Sequence, residues 1–431
     1  MDKAQYRRYL QILELELVPA LGCTEPISVA YASAKAREIL SCMPEHIELY
    51  CSGNIIKNTK SVTVPNSGGM RGIEAAAVLG AVGGDPSSKL EVLERITPED
   101  LSLARKLLSS PFCSCHLQKN APPLYIRVEM RGGGHLAKVA VADDHTNIIL
   151  MEKDGDVLFS EDENSVEDSH SDLKSHLNVA DILTFAREVK ADQIRDLMER
   201  QILLNTAIST EGLNNSYGAQ VGKTLLQAYG NDVRIRACAA AAAGSDARMN
   251  GCPLPVVINS GSGNQGMTCS LPVIEYAKEL KVSRDTLYRA LVISNLISIH
   301  QKRYIGSLSA YCGAVSAACG AGAAITWLHG GDYTEVSRTI TNTIANTGGM
   351  ICDGAKSSCA AKIASAVNAA ILAFTLEKNG RCFQPGEGLV GKDVEDTIRN
   401  LGHVGKEGMK ETDVTILKLM LNCSCIPGGQ A

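Results

Sequence analysis

The chain has 431 residues, a formal net charge of −5, 15 cysteines and only 4% aromatic residues. That length suggests two or three domains around a large core, and scattered Lys and Arg in an acidic chain exclude a nucleic-acid footprint. No run of Leu, Ile, Val and Phe reaches membrane length, and the nearest stretch, Ala310 to Trp327, is rich in Gly and Ala and reads as a buried helix.

Residues 4–18 read as a helix, amphipathic and without a secretory apolar region. LVPALGCTEP follows. Pro19 and Pro26 break the pattern and place Cys23 at a bend into the helix PISVAYASAKAREIL, with Thr24 as its N-cap. HIELYCSG is a short strand, and SGNIIKN (Ser52 to Asn58) a polar turn. SVTVPNSGGMRG reads as a strand and a glycine-rich turn, and IEAAAVLGAVGG as a short helix.

PEDLSLARKLLSS is helical. APPLYIRVEMRGGGHLAKVAVADDHTNIILMEKDG alternates apolar and polar residues between turn signals and predicts β-hairpins. SEDENSVEDSHSDLKS is acidic and reads as a mobile linker. From residue 178 the pattern is helical, interrupted by GCPLPVVINSGSGNQGMT and NTGGMICDGAKSSC. The expected fold class is α+β: a large all-α domain rich in small residues with an inserted, smaller α/β domain. The segments are 1–85, which packs onto the helical domain, 86–178, the insertion with its acidic linker, and 179–431, the helical domain.

Cys312, Cys352 and Cys359 lie in segments built mostly of Gly, Ala, Ser and Thr. Small side chains let backbones approach closely, so a bulky inorganic group could fit where such segments meet. Three thiolates without a fourth suit an iron–sulfur cluster with one exchangeable iron, which could act as a Lewis acid. The alternative is that they are small buried hydrophobes, as most of the 15 cysteines must be. Cys352 and Cys359, seven apart, share one face if helical. The odd cysteine count, irregular spacing and lack of a C-x-x-C pair favour a reducing, cytoplasmic setting over disulfides or structural zinc.

Two loops of the form strand–Asn-Ser-Gly–helix, Asn66-Ser67-Gly68-Gly69 and Asn259-Ser260-Gly261-Ser262-Gly263-Asn264, could present backbone N–H groups to a carboxylate or phosphate; the alternative is two ordinary tight turns. Ser52, Asn54 and Lys57 form a third polar turn whose lysine could pair with a carboxylate. Cys23, ahead of a helix start, is expected to have a lowered pKa and to serve as nucleophile, base or ligand, or else as a structural thiol. His300 is a proton-donor candidate or a helix-end cation. His116, His135, His145, His170 and His176 are irregularly spaced and carry no metal-site signature.

LVPALGCTEPISVAYA, SGNIIKN, the V-P-N-S-G-G turn, NSGSGNQG and C-x39-C-x6-C together resemble the L-cysteine desulfidase family, homologous to the α chain of iron–sulfur-dependent L-serine dehydratases. The resemblance runs from about residue 10 to the C-terminus. It implies a [4Fe–4S] cluster on Cys312, Cys352 and Cys359 with one iron open to substrate, and Cys23 as catalytic base or partner of the cluster. The polar turns then supply the expected substrate-binding residues: Ser52, Asn54, Lys57, Asn66, Ser67, Asn259, Ser260, Gly261 and Asn264. The short gap between the last two ligands tilts the implied β-elimination toward L-cysteine, giving pyruvate, ammonia and sulfide. L-serine dehydration and a non-catalytic sulfide or redox sensor are the alternatives. The expected partner is a small amino acid, with no nucleic acid and no membrane, and a homodimer is left open.

Overall fold

The computed structural model describes residues 1–161, 172–306 and 308–422. Most of the acidic segment expected as a linker, His170 and the two cysteines of the C-terminal tail lie outside the described residues.

The fold is α+β. Its helices begin where the sequence supplies caps. Asp2 accepts from the backbone of Ala4 and Gln5 to start α1 (Lys3–Glu16). Thr97 and Asp100 form a reciprocal capping box at α5 (Pro98–Leu108). Between them lie α2 (Thr24–Leu40), α3 (Gly53–Thr59) and α4 (Ile73–Gly83).

A six-stranded sheet has the order β3-β2-β4-β5-β6-β7. Its strands are β2 (His46–Cys51), β3 (Cys113–Leu117), β4 (Tyr125–Gly132), β5 (His135–Ala142), β6 (Ile148–Lys153) and β7 (Asp156–Ser160). The predicted hairpins are present as the antiparallel run β4 to β6, which β7, beyond the predicted segment, extends by one more strand. The boundary expected after residue 85 is not respected by this sheet. β2, from the N-terminal segment, sits inside it, parallel to β3 and antiparallel to β4. Alternation explains this: Ile47, Leu49 and Cys51 are buried on one face, as are Ile126, Val128 and Met130 of β4. The buried helix α2 packs on that face, so one continuous core runs from Tyr9 through the sheet to Leu401.

The rest of the described chain is helical apart from one short strand. Its helices are α6 (Val179–Glu188), α7 (Ala191–Asn214), α8 (Val221–Tyr229), α9 (Val233–Met249), α10 (Gly263–Glu279), α11 (Arg284–Ile305), α12 (Gly313–Leu328), α13 (Tyr333–Thr347), α14 (Cys359–Lys378), α15 (Val394–His403) and α16 (Lys410–Asn422). Among the described residues one helix, α14, is long and apolar enough to cross a membrane, and more than half of that window is buried against the other helices.

Few aromatics fill this core, so the helices approach closely at small residues. A Cβ on Gly320 of α12 would lie 2.2 Å from the Ser294 carbonyl oxygen of α11. Backbone cannot yield as a flexible side chain can. Gly320→Ala is expected to lower stability by about 1–3 kcal/mol or more, read as a shift in the denaturant midpoint of unfolding.

Candidate functional site

Two short strands, β1 (Pro19–Leu21) and β8 (Pro255–Val257), pair antiparallel, with Pro19 opposite Val257 and Leu21 opposite Pro255. Each leads within a few residues into a helix start, so the starts of α2 and α10 lie side by side. The Thr24 hydroxyl donates to the Gly261 carbonyl at 2.8 Å. A Cβ on Gly313 would lie 2.6 Å from the Gln265 side chain, which puts the start of α12 against that of α10.

A second small ladder gathers the three C-terminal cysteines. Tyr311 bridges Ile351. The Cys312 N–H donates to the Met350 carbonyl at 3.0 Å, and the Cys352 N–H to the Ala310 carbonyl at 2.6 Å. Cys312 caps α12, Cys359 opens α14, and Cys352 precedes it in irregular backbone. Cys352 and Cys359 therefore do not share a helix face; Gly354, at φ +95°, turns the chain between them. Cys359 also packs, with Ala355, against the buried trio Cys23, Val62 and Met249.

Four helix starts thus converge: Cys23–α2, Ser262–α10, Cys312–α12 and Cys359–α14. None has a side-chain oxygen bonded across its first N–H groups. Uncapped N–H groups and aligned dipoles make this a positive region that favours anions and thiolates. Burial acts the other way. It pushes the Cys312 thiol up to about 12, helped by the nearby Cys352, and raises Cys359 as well. Burial also lowers Lys302 to about 8, against the pull of Cys352 and Cys312. Lys362, held by Asp353 and by the Ile351 carbonyl at 3.0 Å, adds a second cation beside Cys312 and Cys352.

The three thiols sit on separate turns beside Lys302 and Lys362 and near helix starts, a soft, charge-compensated donor set of the kind iron–sulfur clusters take. Buried thiols give up their protons when such a group compensates the charge.

Cys23 departs from expectation. It caps α2 in place of Thr24, yet its pKa is raised well above the usual thiol value, because burial and the Glu25 carboxylate outweigh the pull of Arg248. Cys23 Sγ donates to Glu25 Oε2 at 3.0 Å, Thr24 Oγ1 lies 3.2 Å from that oxygen, and Asn58 Nδ2 donates to Oε1 at 3.0 Å. Burial alone would raise Glu25; His145, the Cys23 donor and Arg248 outweigh it and hold the carboxylate below its usual value. The resting charge of this pair lies on Glu25. His145 arrives on the turn between β5 and β6, packs its ring against Gly261, and keeps Nε2 buried without a partner.

The predicted polar turns have different fates. Asn259 is fully buried and donates to the Asn295 side chain at 3.0 Å. Ser260 donates to Asn259 at 3.0 Å, and Asn264 accepts from Arg248 at 3.2 Å. Ser260 and Gly261 have φ of +48° and +74°, which turns the loop into the start of α10. Asn66 donates to the Leu93 carbonyl at 2.9 Å, tying the loop to the 86–94 segment, and Ser67 donates within the turn to the Met70 carbonyl at 3.1 Å, so both side chains are engaged by backbone.

The SGNIIKN segment forms α3 rather than a turn. Ser52 donates to the Pro123 carbonyl at 2.7 Å, and Asn54 Oδ1 is buried without a partner. Lys57 lies beside the cysteine segment, bonding Asp413 Oδ1 at 2.5 Å and the Cys352 carbonyl at 3.5 Å. Asp413→Ala would leave this buried ammonium without its carboxylate. A loss of up to about 3 kcal/mol in unfolding free energy is expected, measured by chemical denaturation. His300 faces Glu395, at 2.7 Å, and the Tyr304 ring, and burial lowers its pKa; that pair ties α11 to α15. A groove of about 410 Å³ lined by Arg338, Arg381, Gln384 and Lys392 shares no residue with the cysteine site.

Glu25, Asn58, His145, Arg248 and Lys302 were not legible as site residues. Glu25 reads as an acid suited to a first helical turn, Arg248 as a cation suited to a last one, and His145 as a loop histidine. Only the GCTEP string flagged Glu25.

The molecule is thus an α+β protein in which three cysteine-bearing turns meet at converging helix starts. The sequence model of the serine dehydratase alpha chain matches residues 87–418, a span that includes Arg248, the Asn259 loop and all three cysteines. The UPF0597 protein of Lachnoclostridium phytofermentans is 55% identical over 417 residues, covering 97% of this chain and 100% of its own. A UPF0597 protein of Desulfitobacterium hafniense is 49% identical over 97% of this chain and 98% of its own, and one from Treponema denticola 46% identical over 98% and 99%. The chain belongs to the serine dehydratase alpha chain family.

Proposed function

We propose that the protein is a lyase that performs β-elimination on a small L-amino acid, with L-cysteine as substrate and pyruvate, ammonia and sulfide as products. The observation that carries this reading is the meeting of Cys312, Cys352 and Cys359 with the Cys23–Glu25 pair at four uncapped helix starts. Cys312, Cys352 and Cys359 would hold a [4Fe–4S] cluster. When bound, such a cluster supplies a Lewis-acidic iron for the departing sulfur or oxygen.

The chain's own residues handle the rest. The start of α10 and its loop orient the substrate carboxylate by backbone donors. Glu25 Oε2 takes the Cys23 proton, and the thiolate so formed takes the proton from Cα. The Cα–H and Cβ–S bonds break, the Cα=Cβ bond forms, and the released aminoacrylate hydrolyses to pyruvate and ammonia. Lys302 and Lys362 offset the negative charge of the thiolates.

The family description favours a second substrate, L-serine, eliminated to pyruvate and ammonia with loss of water. The test is purification without oxygen, followed by assays with both amino acids. Brown protein with broad absorption near roughly 400 nm and pyruvate release are expected, with faster turnover of L-cysteine. Protein that stays colourless after anaerobic iron and sulfide loading sinks the cluster assignment. Coloured protein that releases no pyruvate from either amino acid makes the centre a sensor instead.

A further inference from the structure

Arg248, at the end of α9, is the bulkiest of the fully buried side chains, 2% exposed. Its Nη1 donates to Asn264 Oδ1 at 3.2 Å. Its Nε and Nη2 are buried with no partner. The nearby Glu25 does not serve them, since its oxygens are engaged by Asn58, Thr24 and Cys23. An always-charged guanidinium held out of water without an anion is strongly unfavourable. The unpaired side is the Nε–Nη2 edge, two parallel N–H donors whose spacing matches the two oxygens of a carboxylate.

A second observation points to the same place. The position a Cβ would take on Gly263 is 2.4 Å from Arg248 Nε and 2.8 Å from its Cζ, so the guanidinium lies against the first residue of α10. That helix start carries no side-chain cap. Unpartnered fork and uncapped helix start thus lie side by side. They adjoin the chemistry: Arg248 acts on both the Cys23 thiol and Glu25, and Met249 packs on Cys23 beside Cys359.

We propose that Arg248 is the receptor for the α-carboxylate of the amino-acid substrate, gripping it through Nε and Nη2 at the start of α10. This rests on the amino-acid lyase reading above and deepens it. The fork admits molecules with a free α-carboxylate and discriminates against the corresponding amines. It also faces the negative charge that spreads onto the carboxylate as the Cα proton leaves, which a fixed cation stabilises.

The test uses full-length protein purified anaerobically and two readouts, steady-state kinetics and calorimetric binding of L-alanine, which carries the carboxylate but no leaving group. In the parent, L-alanine is expected to bind, and ethylamine, which lacks the carboxylate, to bind at least about 100-fold more weakly. Arg248→Gln should weaken L-alanine about 100-fold and raise KM for L-cysteine by a similar factor, with unchanged iron content. Arg248→Lys should fall between. Equal binding of alanine and ethylamine by the parent overturns the proposal even if every variant fails to fold. So does a folded Arg248→Gln protein that binds L-alanine as the parent does. Carboxylate-dependent binding without pyruvate release would leave Arg248 as receptor and remove the lyase reading, so the two failures are distinct.

Discussion

Cys312→Ser, Cys352→Ser and Cys359→Ser are each expected to strip iron from the anaerobic protein and cut pyruvate formation roughly 100-fold or more. Each thiol sits at a different turn of a shared region, and a hydroxyl is a poor substitute for a soft thiolate toward iron. The fold itself should persist, because the ladder that gathers these turns is made by backbone groups: Cys312 N–H to Met350, Cys352 N–H to Ala310. Far-ultraviolet circular dichroism should therefore match the parent while iron analysis does not. Cys42→Ser, Cys238→Ser and Cys382→Ser serve as controls and should keep both iron and activity. Full iron loading and normal turnover in any of the first three would remove that residue from the ligand set.

Cys23→Ala is expected to keep the iron and lose turnover. Its Sγ is positioned by Glu25 rather than by the three-cysteine ladder. If Cys23 were a permanent fourth ligand, no iron would be open to substrate. The variant should lose both exchange of the Cα proton in heavy water and pyruvate release. Glu25→Gln keeps the shape of the side chain but removes its ability to take a proton, and should lower turnover about 10²–10⁴-fold. Loss of iron from Cys23→Ala would make Cys23 a ligand. Retained Cα exchange would place the base elsewhere, with His145 the first candidate, since its buried Nε2 lies unpartnered beside Glu25.

Much of the fold could be read from local pattern. Alternation in residues 121–155 predicted the hairpins, and the helical patterns of residues 4–18 and of PEDLSLARKLLSS correspond to α1 and α5. What local pattern could not give was partnership over distance. His46–Cys51 reads as a strand, yet nothing near it says that it pairs with residues 66 to 85 positions later. The two Asn-Ser-Gly loops look alike in sequence. In space one spends its side chains on backbone carbonyls of Met70 and Leu93, while the other lies against a buried arginine. The expected low pKa of Cys23 followed from a helix start alone; burial and the adjacent Glu25 reverse it. Arg248 closes an alanine-rich helix, where a cation suits the dipole whether or not it has other work.

The pairing of β1 with β8 joins segments about 240 residues apart. A ribosome adding about 5–20 residues per second leaves β1 waiting roughly ten to fifty seconds for its partner. Cys312, Cys352 and Cys359 emerge later still, and Asp413, which secures Lys57, last of all. Local helices and the hairpin sheet can form early, whereas the site depends on contacts of very high sequence separation, the slowest kind to close. A nascent chain therefore cannot assemble the centre piecemeal. On the proposed cluster reading, iron delivered before Cys359 has emerged would meet scattered thiols, and productive loading would follow synthesis of all three cysteine turns.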